Sequence, residues 1–273
     1  MESWQYLNKN KIYLLLYIKE MNTLQRQKLI QINSDDRTSG SSSAQFSVNL
    51  GNDSKVNSVR AMAVKEIHFV NSFYNIEYYN NTFYYDTGAG EQSFVLPRGQ
   101  YNLSTLISAI TAKLATAMIT ATITLDALTQ RLVWNVNVPM AFYQYRSNGE
   151  VNPLHDVLGI FGESSGLVTN YTSTGIPDLC GVKSVYIISP ELASGSCITS
   201  QTKTKSVLAV VPVEAGFGEV VYSKNSDNES DVHVYDTALQ NNLSSIRIEM
   251  QDEFGNLLVP NGHQIDMLLK IFY

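Results

Sequence analysis

Two stretches of strict alternation near the end of the chain leave few folds open to it. In Ser245 to Gln251, Ile246, Ile248 and Met250 alternate with Arg247, Glu249 and Gln251. Side chains two apart in a strand share a face, so this is a strand with one buried face and one wet face. After the turn residues Asp252, Gly255, Asn256, Pro260, Asn261 and Gly262, a second run places Ile265, Met267, Leu269, Ile271 and Tyr273 on one side. The other side carries Asp266, Leu268, Lys270 and Phe272, too apolar for a plain solvent face, so further cover is expected over it. Ending on strand residues without a polar tail, the chain is expected to build its last residues into a sheet.

The same alternation predicts strands over Lys28 to Ser34 and Ala44 to Leu50, and Val56 to Val70, with Lys65 and Glu66 inside it, reads as a long strand with room for a bulge. Glu77 to Asp86 reads as a hairpin turning at Asn80-Asn81 between Tyr78-Tyr79 and Phe83-Tyr84-Tyr85, and Gln92 to Leu96 as a further strand. The period then changes. Leu103, Leu106, Ile107, Ile110 and Leu114 fall at helical spacing behind Asn102, a natural N-cap, which predicts a helix over 103–117. Strands at 119–125 and 131–136 follow, then a short helix from Pro153 to Leu158 stopped by Gly159, and a Gly/Ser/Thr-rich loop over 162–177. Near-continuous apolar runs at 182–188 and 206–213 read as buried strands, with shorter ones at 219–222 and 232–235. The expected fold is mainly β: a single jelly-roll β-sandwich from 25–75 and 176–273, carrying an inserted α/β domain at 76–175, with 1–24 as an N-terminal arm or upstream extension.

Length is sufficient for a sizeable core without staples, and Cys180 and Cys197 form no Cys-x-x-Cys pattern, so both are read as free thiols. The apolar run Ile12 to Ile18, flanked by Lys9, Lys11 and Lys19, is shorter than the ~20 residues a membrane span needs and lacks a cleavage site; Met1 and Met21 are alternative starts. Charged residues make up 16% of the chain, against about 25% in typical domains, while 16 tyrosines and 10 phenylalanines are present. Interfaces lose charge and gain aromatics, so partner surfaces are expected, although an Asn/Ser/Thr surface solvated without charge would give the same count. A net charge of -6 argues against a phosphate-binding surface.

Gly162-Glu163-Ser164-Ser165-Gly166 matches the nucleophile-elbow string, and His233 and His263 follow it in hydrolase order. The elbow needs a buried strand before the serine and a helix after it, and neither Leu158 to Phe161 nor Leu167 to Tyr171 reads that way, so no catalytic residue is expected. Asp227 to Asp231 has the alternating acids of a calcium loop, but Val232 stands where Gly is required and Ala238 where an acid is required. His68, His155, His233 and His263 are scattered, without metal-ligand spacing. Sequons at Asn52, Asn80, Asn102, Asn170, Asn228 and Asn242 follow from composition. No cofactor and no metal are expected.

The succession of segments adds a resemblance. Val64 to Val70, Asn71 to Ile76, Pro97 to Asn102 opening the helix, Leu158 to Phe161, Gly181 to Pro190, Val207 to Val213 with Gly216 to Gly218, and the closing Asp252-to-Asn256 and Asn261-Gly262 turns together resemble the penton, or vertex, capsid proteins of virophages and polinton-like viruses. It covers Leu29 to the end; Met1 to Glu20 departs from the family pattern. The resemblance implies a vertical single jelly roll at the capsid fivefold, an insert on top, and homopentamers among trimeric hexons of the virion. Assembly inside the host cell, a host receptor as a further partner, and no sequence-specific nucleic-acid contact belong to this expectation. The alternative is a jelly-roll receptor- or carbohydrate-binding module using the Tyr78-to-Tyr85 hairpin.

Overall fold

The structure is a computed structural model and describes residues 27–50, 59–193, 197–198, 204–224, 233–239 and 244–273. The closing alternation becomes two strands, Ser245–Gln251 and Ile265–Phe272, and each joins a different sheet. In chain order the strands are β1 (Gln27–Asn33), β2 (Ser39–Ser42), β3 (Gln45–Asn49), β4 (Val59–Val70), β5 (Thr82–Asp86), β6 (Glu91–Val95), β7 (Ala121–Leu125), β8 (Leu132–Met140) and β9 (Val168–Thr172). They continue as β10 (Ser184–Ile188), β11 (Cys197–Ile198), β12 (Thr204–Lys205), β13 (Val207–Pro212), β14 (Val220–Lys224), β15 (His233–Leu239), β16 (Ser245–Gln251) and β17 (Ile265–Phe272). The helices are α1 (Leu103–Thr116) and α2 (Pro153–Val157).

The chain divides into two compact units, 1–72 with 183–273, and 73–182. In the first, one antiparallel sheet has the order β1-β17-β4-β14, with β15 also on β4, and a second has the order β13-β10-β16-β3-β2. The chain passes from sheet to sheet as it goes from β3 to β4, from β13 to β14 and from β16 to β17, a jelly-roll-like sandwich. Its core is the set of inward positions the alternation selects: Ile30 and Ile32, Phe46 and Val48, Ile67 and Phe69, Val185 and Ile187, Ile246, Ile248 and Met250, and Ile265, Met267, Leu269 and Ile271. Strand β4 carries a bulge at a position the sequence did not mark. Leu268 faces Glu66 while Leu269 faces Val64, so Lys65 is the extra residue, and the slip keeps both Lys65 and Glu66 partly in water.

In the second unit, α1 packs its buried Leu106, Ile110 and Leu114 into a core with Trp134, Phe83, Phe142 and Ile123. Asn102 caps it as expected: its Oδ1 accepts from Thr105 N at 2.9 Å, and Thr105 Oγ1 accepts from Asn102 N at 3.0 Å, a reciprocal pair. Around this core lie the sheet β7-β8-β9 and the hairpin β5-β6. On the outward face of the three-stranded sheet the exposed hydroxyls and amides of Thr122, Thr124, Asn135, Asn170 and Thr172 surround the half-buried Val133.

Two local expectations fail here for identifiable reasons. The hairpin does not turn at Asn80-Asn81 but at Gly88-Ala89-Gly90, where Asp86 Oδ1 accepts from Gly88 N at 2.6 Å and Gly90 N at 3.1 Å and both glycines have positive φ. Asn80 and Asn81 instead spend their side chains on Glu77 N, the Asn75 carbonyl and the Leu96 carbonyl. The stretch 162–177 is not all loop, since Val168–Thr172 forms β9 by pairing with β8; Val168 and Tyr171 are too few apolar residues for the pattern to announce it.

Candidate assembly surface

Several of the segments that carry the family resemblance meet in two hydrogen-bonded knots. In the sandwich, Asn71 donates from its backbone N to the Glu219 carbonyl at 2.8 Å and from Nδ2 to the Ala215 carbonyl at 2.8 Å, and its own carbonyl accepts from Gly218 N at 2.7 Å. Ser72 Oγ donates to the Pro260 carbonyl at 2.5 Å, and Asn261 Nδ2 to the Ser72 carbonyl at 2.5 Å. Gly216 to Gly218 and Asn261-Gly262 are thus the loops that hold the end of β4. In the second unit the knot is Asn75, which is buried. Its Nδ2 donates to the carbonyls of Tyr101 at 2.7 Å and Leu179 at 3.0 Å, and its Oδ1 accepts from Tyr101 N at 2.9 Å. Ile76 and Gly99 exchange backbone bonds beside it, and Gly181, at φ +70, lets the backbone pass where a Cβ would sit 3.3 Å from that of Asn75. These motif residues position chain.

The exposed apolar side chains of the sandwich lie elsewhere than the sequence suggested. Leu268 and Phe272 are only partly exposed: Leu268 sits in register between Gln31 and Glu66, and Lys270 Nζ lies 5.2 Å from the Phe272 ring centroid. Ala61 and Ala63 of β4 lie in register with Phe272 and Lys270 on that face and are buried. The most exposed are Phe254 at the β16–β17 turn (82%), Val220 (62%) and Tyr222 (56%) on β14, Leu29 on β1 (58%) and Val210 on β13 (48%), followed by Phe217, Leu257 and Tyr273. Asp252 fixes that turn by accepting from Phe254 N at 2.9 Å and Asn256 N at 2.7 Å, which leaves the Phe254 ring in water. Leu29 was legible as the apolar residue on the polar side of its strand. Tyr222 and Val220 needed knowledge of which strands end the sheet.

Of the tyrosine-rich segment, only Tyr78 and Tyr79 are exposed; Tyr85 is core, its hydroxyl pushed up by burial, and Tyr84 lies under the Arg146 guanidinium, 3.9 Å from ring centroid to Cζ. Arg146 is itself held by Glu91 at 2.8 Å and Glu150 at 2.5 Å.

The candidate chemical residues resolve as follows. Ser164 and Ser165 lie in the loop before β9, not on a strand-to-helix turn: Ser164 Oγ accepts from Gly166 N at 3.2 Å, and Ser165 Oγ accepts from Phe142 N at 3.0 Å and donates to the Gly166 carbonyl at 2.8 Å. His68 and His263 line a shallow depression of the sandwich with Asn33, Val220 and Asp266, and His68 Nε2 is 3.3 Å from Asp266 Oδ2. Among the described residues no three of His, Cys, Asp or Glu are grouped to hold a metal. Asp227 to Asp231 and the side chains of His233 and Cys197 lie outside the described residues, and Cys180 is exposed. No helix among the described residues is long and apolar enough to cross a membrane.

His155, on α2, is the most perturbed titratable group. It is fully buried, its ring 4.4 Å from that of Phe83, with Nδ1 2.5 Å from the Tyr143 carbonyl. Desolvation holds its pKa down at about 3, against the opposing pull of the Tyr143 and Tyr84 carbonyls. Asp156 beside it is pushed up by burial, with Gln144 Nε2 donating to it at 3.1 Å.

No protein-family model and no curated protein matches the chain. Among solved structures, the crystal structure of selenomethionine-labelled mavirus penton protein is similar to it, with a TM-score of 0.49 and 12% sequence identity over 91% of this chain and 99% of that one.

Proposed function

We propose that the chain is a structural capsid protein whose mechanism is assembly, forming homopentamers at the fivefold vertices of an icosahedral virion. The observation that carries this reading is the position of the resembling segments. They tie the loops around the end of β4 through Asn71 and Ser72, where the sandwich is interrupted, and they tie the start and end of the intervening unit through Asn75. Such an order of knots belongs to a scaffold that carries an insert. The second support is the surface, with low charge overall and isolated large apolar side chains on strands that end the sheets. In this reading the partners are four further copies and the neighbouring hexon trimers, the location is the capsid vertex, and assembly takes place inside the host cell.

Native mass spectrometry or light scattering on protein at micromolar concentration tests it, with a mass of about five chains expected for a closed ring. Apolar contacts are not screened as ion pairs are, so the mass should persist at high salt. A stable trimer would overturn the penton reading in favour of a receptor-binding spike, for which the exposed Tyr78 (72%) is the first residue to substitute.

A further inference from the structure

Among the described residues, β1 pairs only with β17 and β14 only with β4, so the four-strand path β1-β17-β4-β14 has two open edges. All three pairings within it are antiparallel. With an even number of antiparallel strands the two edge strands run in opposite directions. A copy related to its neighbour by rotation alone therefore brings β14 to β1 in the antiparallel sense, without turning either over. The two edges also match in chemistry. β14 presents Val220 and Tyr222, and β1 presents Leu29 between Gln27 and Gln31, all on the face away from the core. Natural edges are usually blunted by proline, bulges or charge. Neither strand contains proline; Lys28 is at the start of β1, and Lys224, at the end of β14, is neutralised by Glu66 at 3.2 Å.

We infer that the β14 edge of one copy, through Val220 and Tyr222, packs against the β1 edge of the next copy through Leu29, making a head-to-tail contact. This rests on the assembly reading above and supplies it with a surface. A head-to-tail contact uses two different patches, so it repeats from copy to copy and gives a ring where the rotation closes, whereas an edge meeting itself would stop at a dimer.

The test uses the full chain and two variants at exposed positions, Val220→Asp with Tyr222→Asp on β14, and Leu29→Asp on β1, so that the altered edges repel each other. Circular dichroism and thermal unfolding establish that each remains folded. Each variant alone should lose the wild-type oligomer at micromolar concentration, a weakening of at least about 100-fold for a central apolar contact. Mixed at equal amounts, the two should give a 1:1 dimer, because the intact β14 edge of one meets the intact β1 edge of the other and no further contact can form. Folded variants that keep the wild-type mass would overturn this surface while leaving the assembly reading intact. Loss in the β14 variant alone would also overturn the pairing with β1. A wild type that stays monomeric would remove both.

Discussion

His155 gives the sharpest quantitative prediction. In the native state its ring stays neutral down to pH about 3, whereas the unfolded chain binds a proton at the ordinary value of 6.5. Above pH 6.5 the residue has no influence on the pH dependence of stability. Below it the unfolded state binds more protons, so stability falls by about 1.4 kcal/mol per pH unit until the native pKa is reached. At pH 4 the accumulated loss is roughly 3 kcal/mol, a large share of the ~5–15 kcal/mol that stabilises a domain. His155→Gln removes the titration but keeps a donor for the Tyr143 carbonyl, and it gives up ring packing against Phe83, about 1–2 kcal/mol. The variant should therefore be less stable than wild type at pH 7.5, equal to it between about pH 5 and 6, and more stable at pH 4. Trp134 is buried in the same core, 5.8 Å from Phe83 by ring centroid, so urea unfolding followed by its fluorescence in a Trp4→Phe background reads this unit directly. Asp156, whose raised pKa acts in the opposite direction as the pH falls, is common to both proteins and cancels in the difference. A difference between variant and wild type that stays constant from pH 7.5 to 4 would refute the reasoning, because His155 would then be hydrated or charged in the folded chain.

Other outcomes follow from the hydrogen-bonded knots and loops. Asn75→Ala strips three part-buried backbone groups of their partner and should lower stability by about 1–3 kcal/mol in denaturant titrations, whereas Asn80→Ala, on a half-buried turn, should lose less. Ser164→Ala should change stability by less than about 0.5 kcal/mol; Ser165→Ala, which loses the acceptor of Phe142 N, should lose about 1 kcal/mol, and neither should alter turnover of an activated ester. Replacing 73–182 by a short Gly/Ser linker should leave a cooperatively unfolding β core, since loop closure depends only weakly on loop length; a broad, non-cooperative transition would mean that the two units share stabilising contacts.

The sandwich was legible wherever one face of a strand is buried and the other wet, because burial imposes the period of two. Ile246, Ile248 and Met250, and Ile265 to Ile271, went inward as their alternation required. Helix α1 was legible through its apolar spacing and its cap at Asn102. The hairpin turn was misplaced because asparagine serves equally as a turn former and as a side-chain tie. At Asn80 and Asn81 the tie won, and the positive φ fell to Gly88 and Gly90. The edge positions Val220 and Tyr222 were not legible as a surface, since an edge is a property of sheet order, which local pattern does not encode.

The outward face of β7-β8-β9 has a physical consequence for the crowded state. A wall of Thr122, Thr124, Asn135, Asn170 and Thr172 binds water through dipoles and gathers no counterion cloud. Bringing two such walls together sets no like charges of their own against each other, so the ionic-strength dependence of the approach comes from the rest of the chain, whose net charge is -6. At close approach this face contributes a hydration layer, and no charge repulsion of its own, to the spacing between neighbours.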